Sequence, residues 1–434
     1  MNPITAGILG IVLLILLFLL KMPISFAMAL VGFCGFAYLA NLEAAIGILG
    51  RDIFDYFSSY PLSVIPMFIL MGTLAFASGI SRRLYQTTYA WAGQYRGGLT
   101  IATVFACAGF GAICGSSTAT AATMGQIALP EMKKYKYNDT LATGVVAAAG
   151  TLGIMIPPST VFIVYGILTE QSIGKLFIAG VLPGIILTFL FAATVAILCL
   201  YNPSIGPPGP PTEWKEKLKA TVGILEALIL FLLAIGGLFL GWFSPTQAGA
   251  IGAGGALTIG LIRRQLTWRS FSEACKEGLR TSCMVIFIIT GAVIFGRFMA
   301  ISRIPFLLAE WLGGLPISPK IIISIIIFIY FIGGFFMDSM ALIVLTIPIF
   351  YPLVRKLGFD PIWFGVIIVL IAEMGVITPP VGVNVFVIKG IVPDVPLENI
   401  FKGIFPFLAA LIVMTIILMI FPQIATYLPT FITY

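Results

Sequence analysis

The chain has no histidine among its 434 residues, and only 9% of them are charged. The first absence excludes haem axial ligation, most zinc sites, Ser-His and Cys-His nucleophilic pairs and a histidine proton relay. Enzyme chemistry has little to work with. The second excludes an ordinary soluble chain, in which roughly a quarter of the residues carry charge. Cysteine is scarce too. Cys34, Cys107, Cys114, Cys199, Cys275 and Cys283 lie in or beside apolar runs without CxxC spacing, and read as small hydrophobes rather than disulfides or ligands. A polar stretch long enough for a soluble domain is also missing. The longest, 201–219, is Pro/Gly-rich and then charged, and reads as a linker.

What is present is apolar residue, 60% of the chain, enough for about ten crossings at roughly 20 residues each. The runs 4–20, 22–41, 62–80, 141–169, 176–200, 222–242, 247–262, 282–300, 363–389 and 401–421 read as ten spans in an all-α polytopic membrane protein. The first run has no basic residue before it and Lys21 after it, the reverse of a signal peptide, and is expected to stay as a helix. Two further apolar segments, 97–132 and 319–354, are broken at their centres by GSST and MDSM. Placing Lys21 inside puts 17 of the 24 Lys and Arg on the cytoplasmic side, and puts both chain ends outside. The net charge of +7 is therefore a matter of topology, and nucleic acid is not implied. Each centrally broken segment starts and ends on one side. Its polar centre favours a re-entrant hairpin, because irregular backbone at mid-membrane is tolerated only when buried in protein or lining a wet cavity.

Sliding the chain against itself until Gly111 lies on Gly333 also pairs Ser117 with Ser339, Pro130 with Pro352, Lys134 with Lys356 and Gly153 with Gly375. The same offset pairs Pro157–Pro158 with Pro379–Pro380, and gives ten identities over 51 ungapped positions in all. Apolar composition alone would not align two Pro-Pro pairs and two polar breaks at one offset. The chain is read as two copies of a five-span unit. Five is odd, so the copies face opposite ways, the arrangement that gives secondary transporters two access states around one midplane site.

In each copy Pro-Pro falls inside a span, where it removes two amide donors and breaks the helix. The freed carbonyls are those of Gly153 and Ile154 and of Gly375 and Val376, and each Pro-Pro is placed to start the next half-helix. Bare carbonyls suit a monovalent cation, and a half-helix amino terminus suits an anion. The competing reading is a plain proline kink, which the duplication disfavours. The hairpin tips are Gly115, Ser116, Ser117 and Thr118 in the first copy, and Met337, Asp338, Ser339 and Met340 in the second. Small-residue packing explains part of the run STATAATMG. Ser117 and Ser339 are expected to add hydroxyls to an oxygen cage. Asp338 is an ionisable group at membrane depth, and is either an ion ligand or a cap on the returning half-helix. Glu373 is either a coupling group or a water-facing bystander. Arg297 and Glu226 lie near span ends and read as snorkelling side chains.

On these residues the chain resembles the large permease subunit (DctM type) of tripartite ATP-independent periplasmic, or TRAP, transporters, within the ion-transporter superfamily. The stretches that carry the resemblance are GAICGSSTATAATMG at 111–125, GIMIPPSTVFIVYG at 153–166, QSIGKLFIAGVLPG at 171–184, MDSMALIVLTIPIFYPL at 337–353 and GVITPPVGVNVFV at 375–387. The resemblance implies an elevator-type, sodium-coupled importer of small organic acids in a bacterial or archaeal inner membrane. It also implies a small membrane subunit and a periplasmic substrate-binding protein as partners. A stand-alone carboxylate or ion exchanger of the same superfamily is the alternative. No cofactor or transition metal is expected, only Na+ as coupling ion.

The sodium ligands expected are Ser116, Ser117, Gly153, Ile154, Asp338, Ser339, Gly375, Val376 and Thr378. The substrate contacts expected are Gly115, Thr118, Pro158, Ser159, Pro380, Gly382 and Asn384. Residues 1–96 and 221–318 are expected to be scaffold, 97–201 and 319–434 transport halves, and 202–220 a cytoplasmic linker. Amphipathic segments at 81–95 and 303–313, ending near Trp91 and Trp311, read as interfacial arms. The binding protein is expected on the external loops 41–60, 169–175, 242–246, 303–320 and 355–361, and the small subunit on the lateral face of the scaffold.

Overall fold

A computed structural model describes residues 2–313 and 316–432. Residues 314 and 315, within the expected docking loop 303–320, and the terminal positions of the two outer domains lie outside the described residues. Apolar periodicity, caps and prolines divide the first copy into α1 (Pro3–Leu19), α2 (Ile24–Leu39), α3 (Leu42–Phe57), α4 (Val64–Ala77), α5 (Ile80–Ala92), α6 (Gly98–Cys114), α7 (Ser117–Lys134), α8 (Asp139–Ala149), α9 (Leu152–Met155), α10 (Thr160–Thr169) and α11 (Ile173–Tyr201). The second comprises α12 (Trp214–Phe231), joined to α13 (Gly237–Phe239) by a π-helical turn, then α14 (Pro245–Ile262), α15 (Trp268–Ser302), α16 (Ile304–Gly313), α17 (Pro319–Gly334), α18 (Ser339–Lys356), α19 (Pro361–Ile377), α20 (Val383–Ile391) and α21 (Leu397–Ile420), with α22 (Gln423–Thr426) closing the chain. No strand occurs among the described residues.

The offset that lays Gly111 on Gly333 carries α7 onto α18 and α8 with α9 onto α19, with both ends matching, and carries the last residue of α10 onto that of α20. The duplication read from a few identities is thus a duplication of helix boundaries. The copies interlock. α2 packs on α15 and α14 on α4, while α10 packs on α18 and α20 on α7, so each element meets the other copy's equivalent neighbour. This is the exchange of neighbours that a two-fold related pair of repeats demands.

Three boundaries differ from the sequence reading. Residues 41–60 form a helix, α3, rather than a loop; Asn41 caps it, its side-chain oxygen accepting from the Ala44 amide at 2.7 Å. The charges at Glu43, Arg51, Asp52 and Asp55 disguise one turn after another of an amphipathic helix. Its counterpart opens α15, a continuous helix of 35 residues that absorbs the segment before 282, which the sequence reading left outside the span. The linker ends at Glu213, because 214–220 are the first turns of α12, where the Lys217 ammonium lies 5.3 Å from the centre of the Trp214 ring. The rest of the linker is docked on the first hairpin, with Gly97 donating to the Gly206 carbonyl and Asn138 to that of Ile205.

Six helices are long and apolar enough to cross a membrane, and a seventh if 139–155 and 160–169, bent by 40°, count as one span. The shortfall from ten has a physical cause. α1 and α2 have only 17 and 16 residues, α14 has 18 but is rich in glycine and not apolar enough, and the break between α19 and α20 divides another span. Conversely α18, expected as a re-entrant arm, is as long as a crossing. Length therefore does not separate hairpin from span; the position of the tips does.

Glu226 does not snorkel, and Arg297, though its side chain is more than half exposed, is held by a carboxylate. Glu226 is buried and takes Arg83 from α5 (Nε to Oε2, 2.7 Å) and Arg263 at the end of α14 (Nε to Oε1, 2.6 Å). Arg83 also reaches Gln265 at 2.6 Å and the Ser78 carbonyl at 3.0 Å. α5 is thereby bolted to α12 and to the end of α14, both in the other copy. Arg297 holds the buried Asp52 through two bonds of 3.1 and 3.3 Å. Beside this pair, Tyr56, Glu170 and Gln171 help line a cavity of about 490 Å³.

Candidate functional site

Each Pro-Pro falls in a non-helical segment between two half-helices, and both Pro-Pro bonds are cis. In the first copy α8 loosens at Gly150–Thr151, α9 ends at Met155 and α10 starts at Thr160. Ser159 caps α10, its hydroxyl oxygen accepting from the Phe162 amide at 3.2 Å. In the second copy α19 runs without interruption to Ile377. Thr378 closes it, donating its hydroxyl to the Met374 carbonyl at 2.5 Å. The Thr378 amide donates to the Gly375 carbonyl at 3.0 Å, so this expected sodium ligand already has one bond engaged. α20 begins after Gly382, at φ +57°, and no side chain caps it.

The hairpin tips lie against these breaks. Gly115 ends α6 at φ +67°, a conformation that favours glycine. Ser116 then caps α7, accepting from the Ala119 amide at 3.4 Å and standing 3.3 Å from the Thr118 hydroxyl. Thr160 donates its amide and hydroxyl to the Gly115 carbonyl at 3.4 and 3.1 Å, fastening tip to half-helix. Glycine on both sides permits the approach: a Cβ on Gly111 would lie 2.7 Å from the Gly153 Cα, and one on Gly153 would lie 2.6 Å from the Ser116 carbonyl oxygen. In the second copy a Cβ on Gly334 would lie 2.9 Å from the Gly375 Cα. There Asp338 is the cap, accepting from the Ala341 amide at 3.1 Å. No hydrogen bond among the described residues joins this second tip to α20.

The two copies meet at Glu373. Its carboxylate is buried, which removes the water-facing alternative, and it accepts from the Ser339 hydroxyl at 2.6 Å. The Ser117 hydroxyl, equivalent to Ser339 in the repeat, faces the same carboxylate. Asn384, fully buried at the start of α20, donates to Ser117 at 2.9 Å and to the Ala147 carbonyl at 3.1 Å. A carbonyl only accepts, so the amide nitrogen is the atom that faces Ala147 and Ser117. Gly150 makes room for this. A Cβ there would stand 3.1 Å from the Asn384 amide nitrogen and 2.7 Å from Ala121.

Of the residues singled out in the sequence, the structure brings Ser117, Ser339, Glu373 and Asn384 to one point, and Gly115, Ser116 and Gly153 to another. Ile154, Pro158, Ser159 and Val376 are buried at their breaks, whereas Pro380 is exposed and Asp338 is open at its tip. Sequence reasoning missed Thr120 and Thr160. Thr120 stands one turn after Ser116, beside Gly153, and its buried hydroxyl has no hydrogen-bond partner. Its position four residues past a capping serine was the available signal, hidden in a run of small residues. No group of three or more His, Cys, Asp or Glu able to hold a metal occurs among the described residues. The donors are hydroxyl, carbonyl and carboxylate oxygens, a set that suits a hard cation.

Residues 11–424 match the family model of the tripartite ATP-independent periplasmic transporter, DctM component. The chain is 37% identical over 382 residues to the C4-dicarboxylate TRAP transporter large permease protein DctM of Pseudomonas aeruginosa, covering 88% of this chain and 89% of that one. It is 29% identical over 409 residues to the sialic acid TRAP transporter large permease protein SiaM of Vibrio cholerae, covering 94% and 95%. Its fold is similar to that of the YdaH transporter of Alcanivorax borkumensis, with a TM-score of 0.64 at 14% identity over 88% of this chain and 89% of that one. A duplicated set of helical hairpins and broken helices, matched to one family model over nearly its whole length, makes this chain a member of the large permease family of TRAP transporters.

Proposed function

We propose that the protein is the membrane permease of a sodium-coupled importer of small organic acid anions. It would take substrate from a periplasmic binding protein and work beside a small membrane subunit in a bacterial inner membrane. The observation that carries this reading is the meeting of both copies at buried oxygen donors around Glu373, with a broken helix on either side. Alternating access needs a site that both copies share, and a hard oxygen set favours sodium. Two ion positions are assigned to the breaks. One uses the tip and carbonyls of Ser116, Ser117, Gly153 and Ile154, and the other those of Asp338, Ser339, Gly375, Val376 and Thr378. The anion is assigned to the half-helix amino termini, where Gly115, Thr118, Pro158 and Ser159 and then Pro380, Gly382 and Asn384 lie. The uncapped start of α20 favours the second of these as the anion-facing end. Relatives named for C4-dicarboxylate and sialic acid support an organic acid as the substrate class.

In this reading the hairpins, broken helices and α11 and α21 move together against the scaffold of α1–α4 and α12–α15, with α5 and α16 as arms and both chain ends external. Proteoliposomes holding the large and small subunits test it. Uptake of a C4-dicarboxylate should require an inward sodium gradient and added binding protein. Equal uptake in potassium with a proton gradient alone, or at full rate without binding protein, would overturn it.

A further inference from the structure

Glu373 raises a question that the two ion positions at the helix breaks leave unanswered. One of its carboxylate oxygens, Oε2, is buried without any hydrogen-bond partner, and so is the side-chain oxygen of Asn384. None of the ion pairs among the described residues involves Glu373, and the charged group acting on it is another carboxylate, Asp338. An ionised carboxylate taken out of water with no counter-charge costs several kcal/mol. Hydroxyl bonds from serine reduce that cost without cancelling it.

The orphaned oxygens are not scattered. Asn384 donates from its nitrogen to Ser117 and to Ala147, which fixes its oxygen on the other side of the amide. Because the Asn384 nitrogen supplies a proton to the Ser117 oxygen, the serine's own proton is free to point at Glu373. Ser339 reaches the same carboxylate from the opposite hairpin. Glu373 itself has no equivalent in the first copy, where the repeat offset places Thr151, whose hydroxyl is spent on the Ala148 carbonyl at 2.6 Å. One charge therefore serves two hydroxyls that the repeat makes equivalent.

We infer that Glu373, Asn384, Ser117 and Ser339 form a further sodium site common to both copies; it borders the positions built on the tip and break carbonyls and shares Ser117 and Ser339 with them, while Asn384, placed above beside the anion, serves this ion through its side-chain oxygen. The inference rests on the sodium-coupled reading and adds an ion to it. The ligands are hard oxygens with a single negative charge, matched to one monovalent cation. The site joins both hairpins through one ligand set, so occupying it ties the two together.

The test is sodium-dependent thermal unfolding of the purified full chain in detergent, with choline replacing sodium at constant ionic strength. Wild type should be stabilised by sodium. Glu373→Gln should unfold at or above the wild-type temperature without sodium, because an uncompensated charge has gone. Its half-saturating sodium concentration should rise at least tenfold. Asn384→Ala, which keeps the charge, should weaken the sodium response in the same direction and guards against a fold-specific effect of the first variant. A wild-type sodium response in Glu373→Gln overturns the shared site and leaves sodium coupling standing. No sodium response in wild type, with uptake running on protons, overturns both. A Glu373→Gln protein that unfolds well below wild type in sodium-free buffer shows that Glu373 is a structural anchor, and overturns the site as well.

Discussion

The first copy is shut where the second is open. In the first, Pro157, Pro158 and Ser159 are buried, Ser159 caps the half-helix and Thr160 pins the hairpin tip. Gly72 of α4 lies against the same tip, so closely that a Cβ there would stand 3.0 Å from the Cys114 carbonyl oxygen. In the second copy Pro380 and Val381 are exposed, α20 has no side-chain cap, and Asp338 sits open at the tip. One sequence unit, duplicated, has been tuned to two jobs. The first copy is fastened by neutral hydroxyls, while the second holds both central carboxylates, Asp338 and Glu373.

Glycine contacts give the sharpest contrast. Gly375→Ala should be the most damaging change, because its Cβ would run into the Gly334 backbone, which has no flexible side chain to move aside. The expected loss is about 3 kcal/mol, read as a lowered unfolding temperature. Gly153→Ala also meets a carbonyl, that of Ser116, but its other contacts are to the Thr120 side chain, and it should lose less. Equal losses would mean that the two crossings are equally rigid.

Breaking the bolt on the first arm comes next. Glu226→Gln leaves Arg83 and Arg263 with a neutral partner and should destabilise by about 2 kcal/mol. The second arm offers no such target, since Pro305 is the residue that the repeat offset sets against Arg83. If the variant transported and unfolded as wild type, the first arm would be no more tightly held than the second.

The caps separate the copies more gently. Ser116→Ala and Asp338→Ala should each cost about 1 kcal/mol through loss of a helix cap. Asp338→Ala should raise the sodium concentration needed for uptake more than Ser116→Ala does, because it removes charge as well as a cap. A similar rise in Ser116→Ala would erase the charge asymmetry.

The smallest effect belongs to Lys133 and Asp394, which pair on the surface between α7 and the segment after α20. Lys133 holds the Asp394 carboxyl below its ordinary range, and Asp394 holds the Lys133 ammonium above its own. A depressed carboxylate contributes stability above about pH 4, lost only as pH falls through the folded value. The lysine's contribution is lost only above about pH 10. Lys133→Ala should therefore leave unfolding unchanged at pH 7 within error, both side chains being largely solvent-exposed; a large shift would reveal a tie between the copies that is not solvent-screened.

The duplication was legible because prolines and polar breaks are rare in apolar runs, so that Pro157–Pro158, Pro379–Pro380, Ser117 and Ser339 stood out at one offset. The convergence of those two serines on Glu373 was not legible. It depends on two hairpins from opposite halves of the chain reaching one point, which no local pattern encodes. Glu226 and Arg297 misled for a similar reason: their partners Arg83 and Asp52 lie 143 and 245 residues away in sequence. The helix α3 was missed on nearer grounds. Asn41 announced its start, but four charges in its length read as solvent-facing loop.

The continuous α15 has a mechanical consequence. At 35 residues it is a rod roughly 52 Å long without a joint, whereas its equivalent in the first copy is jointed between α3 and α4 at Ser58–Ser63. A rod and a jointed strut answer a change in bilayer thickness differently: the rod must tilt as one body, while the strut folds at its elbow. Acyl-chain length thus becomes an input to the protein, felt through one copy and absorbed by the other.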